Sequence, residues 1–339
     1  MSRTRFYFPC RRKSAFTLVE ILVACAVAML LMMVVLGVLS MTSRLWKDTS
    51  VKIQAFSDAR AAFSRISQDL SQALLNSYWD YDTLPYPTKY ERYSELQFLT
   101  CRMPQLGVAY TPAYYPTCGA FFQAPTGVTW AKNDYGNMPG LLNAYGYFIE
   151  FGSDQPDLPS FLPTTVPKRY RFRLKQWQMA SEDFKLYSQT ATANGKKFLG
   201  TDTLSWIKFT EPVPRTIAEN VIALVVVPRA AEANGTVGEP MTANYFYNSR
   251  NDGSSALELA QKHQLPPTVE VVLVTMDETS ARRVQGSSTT PPALVSPSLF
   301  TDPKDLERDI QTLLTGLDDQ KIRYVVLRSI VSIRGAQWN

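Results

Sequence analysis

Histidine is nearly missing from this chain: His263 is the only one in 339 residues. Chemistry that relies on imidazole as base or metal ligand has one candidate. It sits in a polar stretch before Pro266-Pro267, where a solvated side chain is the ordinary outcome. Cysteine is scarce as well, at four, too few for a disulfide scaffold. No CxxC, HExxH, phosphate-cradling glycine loop, GxGxxG run or Ser/His/Asp grouping can be found. Asp154/Asp157 and Asn251-Asp252-Gly253 lack the alternating oxygen spacing of a calcium loop, and turn chemistry accounts for both. The reading is therefore not an enzyme, with no cofactor and no metal. The net charge of +5 comes entirely from Arg3, Arg5, Arg11, Arg12 and Lys13. Beyond them no basic patch remains for nucleic acid.

What is present begins at residue 16. The run FTLVEILVACAVAMLLMMVVLGVLSM, residues 16–41, holds one charged side chain, Glu20. As a helix of ~1.5 Å per residue it reaches ~39 Å, enough to cross a ~30 Å hydrocarbon core. A carboxylate one turn inside such a span costs on the order of 2.5–3.5 kcal/mol and so marks a function, unless it snorkels to the interface. The purely basic preface, Arg11-Arg12-Lys13, places the N-terminus on the cytoplasmic side and all that follows residue 41 across the membrane. A secretory signal has a shorter apolar core with its cleavage site after that core. A plain anchor leaves Glu20 unexplained.

Helical spacing continues past the span. Trp46, Ile53, Phe56, Phe63, Ile66, Leu70 and Leu74 recur at steps of three, four or seven, and no proline occurs between Phe16 and Leu84. One helix of roughly 60 residues is predicted, half in lipid and half laying an apolar stripe on a globular domain, with Gly37 a point of packing or bending. Residues 106–139 show no stable period. Their aromatics, among them Tyr110, Tyr114, Tyr115 and Trp130, form either an exposed functional surface or a cover over one face of a sheet. Strands are expected at 95–101, 145–151, 170–178, 205–210, 221–228, 268–276 and 322–334. A Ser/Thr/Pro-rich excursion is expected at 279–303, then a short helix over 303–315, capped by Asp302 and closed by Gly316. Strands without intervening helices pair antiparallel, so the class is α+β. Cys101 and Cys118 both fall beyond the membrane, and the reading favours a bridge between them worth ~3 kcal/mol in the chain-entropy model.

The text Lys13-Ser14-Ala15-Phe16-Thr17-Leu18-Val19-Glu20 ahead of an apolar helix resembles the processing site of type IV prepilins and type II secretion pseudopilins. The resemblance implies a cut between Ala15 and Phe16 by a prepilin peptidase, and N-methylation of Phe16. It also implies pairing of Glu20 with the terminal amine of a neighbouring subunit, which sets the axial register of a fibre. The family usually carries Gly before the cut; Ala15 stands there here and is still small. Further along, AAFSRISQDLSQA at 61–73, IAENVIALVVV at 217–227 and LPPTVEVVLV at 265–274 are similar to the minor pseudopilin J and PilW-like group. The opening AFTLVE and the closing VSIRGAQWN resemble the Verru_Chthon cassette protein C family. The organisation implied is a cleaved leader at 1–15, a membrane segment at 16–41, an amphipathic helix at 42–77 and a periplasmic β-rich domain at 78–339. That domain carries a long insertion at about 102–140 and a flexible segment at 279–303. Function is then that of a minor pilin or pseudopilin in the bacterial inner membrane, with other pilins as partners. The alternative is an exported adhesin or ligand-binding domain on a pilin-type anchor.

Overall fold

The computed structural model describes residues 17–82, 86–107, 109–159, 161, 163, 166–183, 190–193, 196–199, 204, 206–207, 209, 212–231, 237–250, 261–286 and 288–337. The chain divides into two compact units, Met1–Val51 and Lys52–Asn339. In chain order the elements are α1 (Leu18–Ser71), β1 (Tyr78–Tyr81), β2 (Tyr90–Tyr93), β3 (Leu99–Arg102), β4 (Cys118–Pro125) and the single turn α2 (Lys132–Tyr135). Next come β5 (Leu142–Ser153), β6 (Tyr170–Met179), β7 (Thr190–Ala193), β8 (Lys196–Leu199), β9 (Arg215–Glu219), β10 (Val221–Arg229) and β11 (Tyr247–Asn248). The chain closes with β12 (Thr268–Met276), α3 (Glu278–Gln285), α4 (Leu306–Asp319) and β13 (Tyr324–Ser332). Beyond Thr17, the described residues of the first unit are the N-terminal part of α1.

In the second unit, the described residues form a six-stranded antiparallel sheet in the order β11-β3-β4-β5-β6-β9 and a three-stranded one in the order β10-β12-β13. The class is α+β. Asn220, in the left-handed region at φ 60°, turns the chain from β9 in one sheet to β10 in the other. Strand β10 lies against β4, β5 and β6, and the Leu224 N–H donates to Thr117 Oγ1 at 3.1 Å.

Register assigns the faces of the large sheet. Phe122 pairs with Tyr145, Ala120 with Tyr147 and Tyr147 with Gln176, so these share one face; Phe121, Gly146 and Trp177 share the other. The second face is closed by aromatic rings from outside the strands. Phe209 stacks on Phe148 at 4.5 Å and Trp206 meets Trp177 at 5.9 Å. The first face receives the C-terminal part of α1, whose buried stripe Ala59, Ala62, Ile66 and Leu70 follows steps of three and four. Helix α1 stops at Ser71, earlier than 77. The Ser71 carbonyl, one of the last-turn acceptors a helix leaves open, takes the N–H of Arg334, and the Leu74 N–H passes to Gln123 O at 2.9 Å.

Several expectations need correction. Residues 102–140 are not an insertion: β4 lies at the centre of the large sheet, with Phe121 and Phe122 buried. Burial on both faces removes the alternation by which a strand is recognised. The span 279–303 is no loose excursion either. It opens with α3, capped by the Asp277 carboxylate on the Ser280 N–H at 2.9 Å, and later buries Leu294, Val295 and Phe300. Gly316 lies within α4, which runs on to Asp319 because Leu317 is fully buried. Of 205–210, Trp206, Ile207 and Phe209 are described, and none is in a strand. The expected Cys101–Cys118 bridge is absent and both thiols are free. Cys101 pairs with Gly119 and Arg102 with Cys118, so the two side chains leave opposite faces of the sheet and cannot meet. Burial pushes the Cys118 thiol up to about 12 and raises Cys101 well above its ordinary value.

Candidate functional site: the N-terminal helix and its anchor

The residues flanking the expected cut, Ala15 and Phe16, lie outside the described residues, as do the leader and Asn251-Asp252-Gly253. Thr17 immediately precedes α1. Its carbonyl and its hydroxyl both accept from the Glu20 N–H, at 3.1 and 3.3 Å. Thr-x-x-Glu is the spacing of a capping box, in which the threonine oxygen satisfies the third free N–H of the first turn. A carboxylate in that turn also faces the positive end of the helix dipole. Glu20 thus has a local reason to sit at the helix start. It is nonetheless exposed, and among the described residues no hydrogen bond or ion pair holds its carboxylate.

Residues Leu18–Ser43 form a helical stretch of 26 residues with mean hydropathy 3.0, none of it buried within the protein. A helix apolar all round and uncovered matches lipid as its solvent. Its late polar groups are internally satisfied, Ser40 Oγ on Gly37 O at 2.9 Å and Thr42 Oγ1 on Val38 O at 2.8 Å, as a dry medium requires. A Cβ at Gly37 would meet nothing within 4 Å, so no packing within this chain demands the glycine.

Further along α1, Asp69 anchors the helix to the sheet. It accepts from the Tyr147 hydroxyl, which in turn takes Gln176 Nε2 at 2.9 Å, and Arg65 stands 3.8 Å away on the helix. Burial raises the Asp69 carboxyl above its ordinary value, against the lowering pull of the Tyr147 bond and the Arg65 charge. Burial, and then the Asp69 charge, likewise raise the Tyr147 phenol. Asp69 falls outside the apolar residues by which the sequence marks the packed stripe of this helix. The signal was available, since 62, 66, 69 and 73 share one helical face.

The remaining sequence candidates are not brought together. His263 is buried, at φ 53°, with its ring 4.9 Å from Tyr93. Asp154 pairs with Arg169 at 3.0 Å; Asp157 accepts from Thr216 Oγ1 at 2.5 Å and faces Lys175 at 3.5 Å. The two aspartates serve different partners.

Compared with known proteins, residues 10–40 match the prokaryotic N-terminal methylation motif. No curated protein and no solved structure matches the chain. The match speaks for the N-terminal segment, where it supports a pilin- or pseudopilin-type protein. The motif and the apolar helix at Leu18–Ser43, the one such helix among the described residues, fit a single-pass, membrane-anchored chain.

Proposed function

We infer that the protein is a minor pilin or pseudopilin, a structural subunit that initiates or caps a short pilus-like fibre. The observation that carries this is the N-terminal segment: a basic preface, a matched methylation motif, and a lipid-suited helix whose one charge, at its start, meets no partner among the described residues. A prepilin peptidase would cut between Ala15 and Phe16 on the cytoplasmic side and methylate the new amine. The β domain would be exported. The Phe16 amine of one subunit would then meet Glu20 of the next, since opposite charges in low dielectric attract strongly and each is costly alone. A β domain with long covering segments suits an end of a fibre, where neighbours pack on one side only. The motif points to a structural pilin rather than a catalyst.

Crosslinking in membranes tests the assembly step. Glu20→Ala should still insert, because removing a charge from a span lowers the insertion cost. Its β domain should fold, since Glu20 lies outside the unit that contains it. Recruitment should fail: losing the partner of a desolvated amine costs ~3–5 kcal/mol, or roughly a 100- to 5,000-fold loss of pairwise association. Unchanged crosslinking to partner pilins would mean that Glu20 only caps the helix.

A further inference from the structure

Between the loop at 128–130 and the end of β6 lies a cavity of about 360 Å³ that no part of the assembly reading uses. One wall is Trp130, whose indole is 55% exposed although the residue is held tightly. Its indole N–H donates to Asp183 at 2.7 Å, and the Ala131 N–H donates to Glu182 at 3.1 Å. The loop is also pinned by buried Asn143, through the Val128 N–H at 2.9 Å and the Val128 carbonyl at 2.7 Å. With the indole N–H spent, the ring offers a ligand its flat face.

The floor and far side are polar. Gln176 and Gln178 donate their amide N–H groups to Tyr147 at 2.9 Å and Tyr145 at 2.6 Å. Among the described residues neither amide oxygen meets a donor. Asp157 binds Thr216 and Lys175 through Oδ2, which leaves Oδ1 as an acceptor. Arg215 at the rim is exposed, and its guanidinium has no partner among the described residues. The cavity opens where β9 ends: pairing to β6 stops at Gln176 with Arg215, and Pro212, Val213 and Pro214 turn away to form the outer rim.

We propose that this cavity binds a neutral saccharide ring, stacked by its C–H face on Trp130, with its hydroxyls bonded to Gln176, Gln178, Asp157 and Arg215. A volume near the lower end of the ~300–1,000 Å³ range of small-ligand sites suits one or two rings. An apolar ligand would strand the amide and carboxylate acceptors, at a cost of about 1–3 kcal/mol for each one buried. An anion would face Asp157 and two amide oxygens with Arg215 alone in its favour. Hydroxyls donate and accept at once, and an aromatic face is what the apolar side of a pyranose needs. The exposed Trp79 has one face covered by the Arg92 guanidinium at 5.6 Å and lines no part of this cavity. The site is independent of Glu20, so its failure would leave the assembly reading standing.

Saturation-transfer NMR on the full chain, in micelles of a detergent without a sugar headgroup, tests it. The probes are glucose, galactose, mannose, N-acetylglucosamine and N-acetylgalactosamine at millimolar concentration. At least one should receive saturation at its ring C–H protons. Affinity should fall about tenfold or more in Trp130→Ala. It should be abolished in Val213→Trp, which fills the cavity from an exposed position and spares the core, and unchanged in Trp79→Ala. Two results would overturn the proposal: no transfer to any of the five sugars, or equal transfer in the wild type, Trp130→Ala and Val213→Trp.

Discussion

Gly146→Ala puts the packing of the large sheet to a quantitative test. Gly146 faces Phe121 directly across β4 and β5. A Cβ added there would stand 2.7 Å from both Cδ1 and Cε1 of Phe121 and 3.4 Å from Trp177 Cε3. The ring has nowhere to retreat. It is fully buried, with Phe209 at 5.9 Å and Phe148 at 6.4 Å, and its far edge already lies over Gly119, where a Cβ would be 3.0 Å from Cε2. Overpacking by a methyl group costs ~1–3 kcal/mol, and the reduced entropy of the unfolded chain returns ~0.4–1 kcal/mol. The net loss should be about 1–2 kcal/mol, a drop in Tm of roughly 2–8 °C for a domain of this size. Near-UV circular dichroism of the full chain in detergent reads the transition. In the double variant Gly146→Ala/Phe121→Leu the losses should be less than additive, because the smaller side chain vacates the contested space. A Tm at or above that of the wild type, or strict additivity, would refute the packing argument.

Other expectations follow from the anchor and the thiols. The Asp69 carboxyl is raised above its unfolded value, so the folded state holds its proton more firmly, and the burial cost is present at neutral pH and vanishes below the unfolded pKa. Asp69→Asn should therefore be more stable than the wild type to urea at pH 7, with the difference shrinking as pH falls through the raised pKa towards 4; a less stable variant at pH 7 would mean that Arg65 and Tyr147 outweigh burial. Peptide mapping without reductant should recover Cys101 and Cys118 unbridged, and a linked peptide would contradict the register of β3 on β4.

Much of this architecture was legible in order. β6, β10, β12 and β13 fall where β-branched or alternating runs put them, and α1 follows from its spacing and its lack of proline. What escaped has physical causes. CGAFFQAP in β4 shows no period because both its faces are covered. YRFRLKQWQM in β6 alternates as though one face were wet, yet Arg173 is fully buried and Lys175 nearly so. Their counter-charges, Glu219 at 3.3 Å and Asp157 at 3.5 Å, come from other segments. No local pattern announces a buried cation whose partner lies far along the chain. At the N-terminal site, Glu20 was conspicuous as a lone charge, whereas its capping by Thr17 emerged only from the hydrogen bonds. The Trp130 cavity joins loop, strand and rim residues scattered from 128 to 215, and spacing alone could not assemble it.

The central claim is that residues 1–15 are a leader and that the working protein starts inside the matched motif. Intact-mass analysis with N-terminal fragmentation of the protein, extracted from membranes of its native host, measures this directly. The account predicts a chain beginning at N-methyl-Phe16, with Glu20 as its fifth residue. A chain that still carries residues 1–15, or one that begins after the apolar helix, would contradict it.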